Sequence, residues 1–121
     1  MTIKYTKETK TLVCMLNEEI DEKESEKIRR NIDEEIENFI PRKVILDFDN
    51  ISFMDSSGIG MVIGRYKLVK MLGGELEIVN VHKNVKKIFA MSGLYRIIKI
   101  SEASEENNNN GKENNSERII W

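Results

Sequence analysis

The sequence predicts one α/β domain in which a mixed, mostly parallel sheet has helices packed against it. Apolar residues switch along the chain between a period near 2 and a period near 3.6, in the order β-β-α-β-α-β-α. The first two strand-like segments are separated only by Glu8-Thr9-Lys10, a connection short enough to force an antiparallel pair. The later strand-like segments are separated by helix-length stretches, and right-handed crossovers place consecutive helices on one side of the sheet when the strand order does not reverse.

The strands open at 2–7 and 11–17, where β-branched and apolar residues concentrate. Residues 23–39 read as a helix, with Ile28, Ile32, Ile36 and Phe39/Ile40 on one face, Asp21 at its start and Pro41 at its end. Val44-Ile45-Leu46-Asp47-Phe48 is an apolar run expected to be a strand buried on both faces. A helix over 56–72 follows, stopped by Gly73-Gly74. Glu75 to Val81 alternates as a strand, and 83–92 reads as a helix with Val85, Ile88, Phe89 and Met91 apolar, closed by Gly93. Arg96 to Ile100 is a last apolar segment, an edge strand or the start of a terminal helix.

Composition narrows the function classes. The 121 residues carry a formal charge of -2, with no basic excess to suit nucleic acid. No stretch of about 18 apolar residues is present to span a membrane, and the polar, mixed-charge start argues against a secretory leader, so the expected compartment is the cytoplasm. With one cysteine and one histidine there is no metal-ligand spacing, and no cofactor is expected. Cys14 lies in an apolar run and reads as a small buried hydrophobe. The domain is expected over 1–101. From 102 to 121 the chain turns rich in Asn and Glu, too polar to offset the entropy of ordering, and is expected to be a disordered tail ending in Ile119-Ile120-Trp121.

The stretch that carries chemistry is Asp55-Ser56-Ser57-Gly58, which follows the buried strand and opens a helix. Functional groups gather at the carboxyl ends of parallel strands. Asp55 is suited to cap the helix, and the amides of a helix start attract an anion, so a phosphate on a serine here is expected to be tolerated by the fold. It would also add about -1.5 to -2 charges to the surface, enough to disrupt a docked partner. A helical wheel puts the core face at Tyr66, with Ile59, Val62, Ile63 and Val69 around it. A second stripe carries Ser57, Gly60, Met61, Gly64 and Leu68, either a smooth groove for a partner or a face covered by another element of the same domain. The same wheel makes Ser57 the more exposed of the two serines.

Phe53-Met54-Asp55-Ser56-Ser57-Gly58-Ile59-Gly60, continued by Gly64-Arg65-Tyr66-Lys67 and Gly73-Gly74-Glu75, closely resembles the sporulation anti-sigma factor antagonists of the STAS domain family. Val85-Lys86-Lys87-Ile88-Phe89 and Met91-Ser92-Gly93-Leu94 match the same pattern, and the resemblance covers roughly residues 2–100. It implies a regulatory protein and not an enzyme. The unphosphorylated form binds an anti-sigma factor that is also a serine kinase, which releases the sigma factor for transcription. Phosphorylation of the first serine after the motif aspartate, Ser56, ends the association, and a serine phosphatase restores it. Asp21, Asp55, Ser57, Gly58, Gly60, Met61, Gly64 and Leu68 are the expected partner-binding residues. One departure stands out: Glu18-Glu19-Ile20-Asp21 replaces the family's Gly-Glu-Leu-Asp, so a bend that needs positive φ at position 18 is in question.

Three other readings compete. His82, with Ser56 and Asp55 or Asp21, would make a serine hydrolase, although the G-x-S-x-G turn is missing. Gly58, Gly60 and Gly64 would suit a small nucleotide-binding protein, although their spacing is neither the dinucleotide nor the Walker pattern. A response-regulator receiver would need an acidic cluster at the first strand end and a lysine at the last, and neither is evident.

Overall fold

The computed structural model describes residues 1–104, and the expected tail from 105 onward lies outside the described residues. Five strands form one sheet in the order of the chain: β1 (Thr2–Thr6), β2 (Thr11–Met15), β3 (Lys43–Asp47), β4 (Glu75–Val81) and β5 (Lys99–Glu102). β1 pairs antiparallel with β2 through the Lys7–Lys10 turn, and the other pairs are parallel. The crossovers are α1 (Glu22–Phe39), α2 (Ser56–Met71) and α3 (Lys83–Ser92), with a short 3-10 turn at Leu94–Arg96 before β5. Because the strand order never reverses, right-handed crossovers stack all three helices on one face.

The burial pattern follows from that stacking. Leu12, Cys14, Val44, Leu46, Leu76 and Ile78 point to the helices and are buried. Val13, Ile45, Asp47 and Val79 point the other way and are only half-buried. The expectation that 44–48 is covered on both faces therefore fails: the run is apolar, yet helices lie on one side only. Cross-strand charges keep the open face wet, with Glu77 between Lys43 and Lys99 at 3.2 and 3.8 Å. The terminal segment resolves as an edge strand, and the sheet runs on to Glu102, with the Ala103 amide donating to the Val81 carbonyl. Residues 102 and 103 thus belong to the domain and not to the tail. Cys14 is fully buried, and desolvation pushes its thiol up to about 12, so it packs as a hydrophobe and does not react as a thiolate.

The helices divide the core as their sequences dictate, with one exception. Ser25, Ile28, Ile32 and Ile36 form the buried stripe of α1. In α3, Val85 and Phe89 are buried, and Phe89 packs on Phe48 at 5.6 Å between ring centroids. In α2 the buried residues are Gly58, Met61, Val62, Arg65 and Val69. This face lies roughly a quarter turn from the predicted centre at Tyr66, which is only half-buried. Hydropathy misplaces it because two of its members, a glycine and an arginine, do not look like core residues. Arg65 is only 6% exposed and meets Asp33 of α1, with Nε and Oδ1 2.6 Å apart. Neither atom makes a directed hydrogen bond, so the contact is an ion pair, and Arg65 Nη1 donates to the Met61 carbonyl. Desolvation lowers the Arg65 pKa and the Asp33 carboxylate opposes that shift.

Two substitutions test this packing. Asp33→Ala strands a buried guanidinium and is expected to lower unfolding stability by about 2 kcal/mol, less than for a fully buried pair because Asp33 retains some exposure. Urea denaturation reads the loss. Ile40 ends α1 at φ 44°, a left-handed conformation that a β-branched residue adopts at a cost. Ile40→Gly is expected to raise the urea midpoint, by about 1 kcal/mol of stability.

Candidate functional site

Two strand-to-helix loops meet at the carboxyl end of the sheet. Beyond β2 and β3 the chains stay paired: Ile20 forms a parallel bridge with Met54, the Ile20 amide donates to the Phe53 carbonyl (3.1 Å), and the Asp55 amide donates to the Ile20 carbonyl (3.0 Å). Glu19 ties the same loops together, accepting from the Phe53 amide at 2.8 Å and the Ser52 hydroxyl at 2.9 Å. The α1 and α2 amino termini are consequently held side by side. Asp21 caps α1 by accepting from the Glu24 amide (2.8 Å), and Asp55 caps α2 by accepting from the Ser57 amide (2.9 Å). Glu18 sits in the loop without positive φ, so the family's glycine is dispensable here.

Gly58 is what allows the loops to close on α2. A Cβ there would fall inside van der Waals contact of Met54 Cγ and Sδ and 3.1 Å from Ile20 Cγ2. The side chain of Met54, itself buried, occupies the space an alanine would need.

The two serines have different surroundings. Ser56, the first residue of α2, points away from the core face and is exposed. Ser57 is half-buried on the flank facing α1, where its hydroxyl donates to Asp55 Oδ1 and lies 3.0 Å from Ser25 Oγ. The expectation that Ser57 is the more exposed serine is therefore reversed, because the core face of α2 lies a quarter turn from where hydropathy put it. The open anion cradle is also not there: Asp55 has already taken the Ser57 amide with its side chain and the Gly58 amide with its carbonyl. A phosphate on Ser56 would remain in solvent, favoured by the helix dipole but close to the capping carboxylate.

The predicted stripe splits. Met61 is buried, as is the neighbouring Gly58, while Ser57 is half-buried and bonded to α1 and Leu68 is half-buried against the core. Gly60 is exposed, and no atom would meet a Cβ at Gly60 or Gly64. On the opposite flank of α2 an apolar cleft of about 320 Å³ runs between α2 and α3, lined by Ser56, Ile59, Ile88, Met91 and Ser92. Met91 is 84% exposed at its edge, and Phe53 is half-exposed on the loop before Asp55. In the sequence Ile88 and Met91 stand out only as apolar residues of a helix, which does not reveal this cleft. Sequence reading also passed over Ser25, whose signal was its place three residues before Ile28 on the buried stripe.

His82 caps α3 by backbone position only, and its Nε2 lies 2.7 Å from the Asp49 carbonyl and 3.2 Å from the Asp49 carboxylate. Asp55 is bonded to Ser57 and His82 to Asp49, so the hydrolase arrangement with Ser56 is not assembled. The glycines offered for a nucleotide lie within α2, with Gly58 packed against Met54.

Comparison with known proteins agrees with this geometry. The STAS domain model matches residues 2–107. An anti-sigma F factor antagonist of Paenibacillus polymyxa is 38% identical over 89 residues, covering 74% of this chain and 76% of its own. That of Lysinibacillus sphaericus is 34% identical over 84 residues, covering 69% and 72%. Among solved structures, the anti-sigma factor antagonist SpoIIAA in its unphosphorylated form superposes with a TM-score of 0.73 at 32% identity, over 88% of this chain and 90% of that one. The Bacillus cell fate determinant SpoIIAA in the phosphorylated form gives 0.66 at 31% identity, over 88% and 94%.

The close approach at Gly58 generates a test. Gly58→Ala gains helix propensity but collides with Met54, for an expected net loss of about 1 kcal/mol. In a Met54→Ala background the same change is expected to be neutral or stabilising, a sign reversal that a double-mutant cycle in urea detects. Taken together, the paired loops, the Asp-Ser-Ser-Gly helix start and these matches establish that the chain belongs to the STAS domain family.

Proposed function

We propose that this chain is an anti-sigma factor antagonist acting in the cytoplasm, in transcriptional control of the sporulation type. Its unphosphorylated form binds an anti-sigma factor that is also a serine kinase and so releases the sigma factor. Phosphorylation of Ser56 ends the association, and a serine phosphatase reverses it. The chain supplies a docking surface and a modifiable hydroxyl, and no catalytic group. The anti-sigma F factor antagonists it is similar to support the partner class.

The observation that carries this reading is the position of Ser56 on the rim of the apolar cleft formed by Ile59, Ile88 and Met91. A partner that fills the cleft must strip water from Ser56. A neutral hydroxyl loses little, whereas a phosphate of about -1.5 to -2 charges keeps its hydration shell and resists. Asp55 and, on the paired loop, Asp21 and Glu19 are also acidic, so the new charge would be added among like charges. Asp21, Gly60 and Gly64 stay in the proposed docking surface, together with Phe53. This chain superposes on SpoIIAA structures of both the unphosphorylated and the phosphorylated form, in keeping with a modification that acts on docking and not on folding.

Ser56→Asp is expected to weaken binding of the anti-sigma factor by about 100-fold or more, near 2.7 kcal/mol, with no change in thermal midpoint. Ser56→Ala is expected to bind within about threefold of wild type and to resist phosphorylation. Titration calorimetry measures both, and wild-type affinity in Ser56→Asp would refute the switch.

A further inference from the structure

Ser25 occupies a position on α1 where the pattern calls for an apolar residue. It belongs to the stripe completed by Ile28, Ile32 and Ile36 and, like them, is buried. A buried hydroxyl costs stability unless it is hydrogen-bonded. Within a helix a serine can satisfy itself on the carbonyl four residues back. Here that carbonyl, Asp21 O, takes the Ser25 amide (2.8 Å), and the Ser25 hydroxyl reaches across to Ser57 Oγ at 3.0 Å.

Counting protons fixes the direction. Each hydroxyl has one to give. Ser57 gives its proton to Asp55 Oδ1, so Ser25 donates to Ser57. The Ser57 oxygen is thereby engaged from two sides, and its amide is bound to the same carboxylate oxygen. Ser56, one residue earlier, makes no such bond to α1 and is exposed.

We infer that Ser25 is a positioning residue that decides which serine of the pair is modified, by clamping Ser57 against Asp55 and leaving Ser56 as the one acceptor. This rests on the switch proposed above. In the transfer, the γ-phosphoryl of a nucleoside triphosphate passes to Ser56 Oγ. The Oγ–P bond forms, the bond to the departing nucleoside diphosphate breaks, and the hydroxyl proton leaves to a base on the kinase. The donor must approach the serine oxygen in line. At Ser57 that approach requires breaking the bond to Ser25 and parting α2 from α1; at Ser56 it requires neither.

The test uses the full chain and its S25A, S56A and S25A/S56A variants, incubated with the anti-sigma factor kinase and ATP, with the modified residue located by tandem mass spectrometry. In parallel, amide exchange at Ser57 and Gly58 is followed by NMR without kinase. Wild type is expected to be labelled on Ser56 alone, and S56A about tenfold more slowly or not at all. S25A/S56A is expected to be labelled on Ser57 about fivefold faster than S56A, and S25A to speed exchange at Ser57 and Gly58 by about the same factor, the worth of one hydrogen bond. Exchange in β3 stays unchanged in S25A, which separates release of the clamp from general loosening. Labelling of Ser57 in S56A at the wild-type rate overturns the inference. So does unchanged Ser57 and Gly58 exchange in S25A. If neither serine of the wild type accepts phosphate, the switch itself falls, while the exchange measurement still decides whether the clamp exists.

Discussion

The structure depends on the seam between the loops that follow β2 and β3. Parallel pairing does not stop at Met15 and Asp47 but resumes at Ile20 and Met54, with backbone hydrogen bonds on both sides of the bridge. This seam fixes where two helices begin, so two capping aspartates, Asp21 and Asp55, and the serines beside them arrive on one surface. Gly58 lets α2 lie against the seam by leaving room for Met54 and Ile20. Without the seam, α1 and α2 would each still be capped, but the sites they present would not share a face.

The seam also accounts for the charge layout. Asp21, Glu19 and Asp55 spend their oxygens on local amides and hydroxyls, which holds the loops but leaves the region acidic. On the other flank of Ser56 the surface turns apolar through Ile59, Ile88 and Met91. A residue standing between acidic caps and an apolar cleft is well placed to govern docking, because modification changes the cost of dehydrating the whole rim.

Much of this was legible in the sequence. Among the described residues, sequence reading located each α-helix to within a residue at either end, and right-handed crossovers place the helices on one face once the strand order is known not to reverse. The Asp-Ser-Ser-Gly helix start was legible because capping chemistry is local. What depended on tertiary contact was not. The core face of α2 is built on Gly58 and Arg65, and each is internal for a reason outside its own segment: Gly58 because Met54 comes close, Arg65 because Asp33 pairs with it. That displacement carried through to the serines, reversing their expected exposure, and to Met61, which is buried. Strand β3 looked two-sided because its residues are apolar, although only one side is roofed.

The central claim is that charge on Ser56 prevents docking and leaves the fold alone. Hydrogen exchange on the unmodified and the fully Ser56-phosphorylated chain, each with and without the anti-sigma factor, tests it most directly. The account predicts that the partner protects residues 53–60 and 88–92 in the unmodified chain only, with equal exchange in β2, β3 and β4 of the two free forms. Protection of the same residues in the phosphorylated chain, or faster exchange in those strands once phosphate is added, would contradict it.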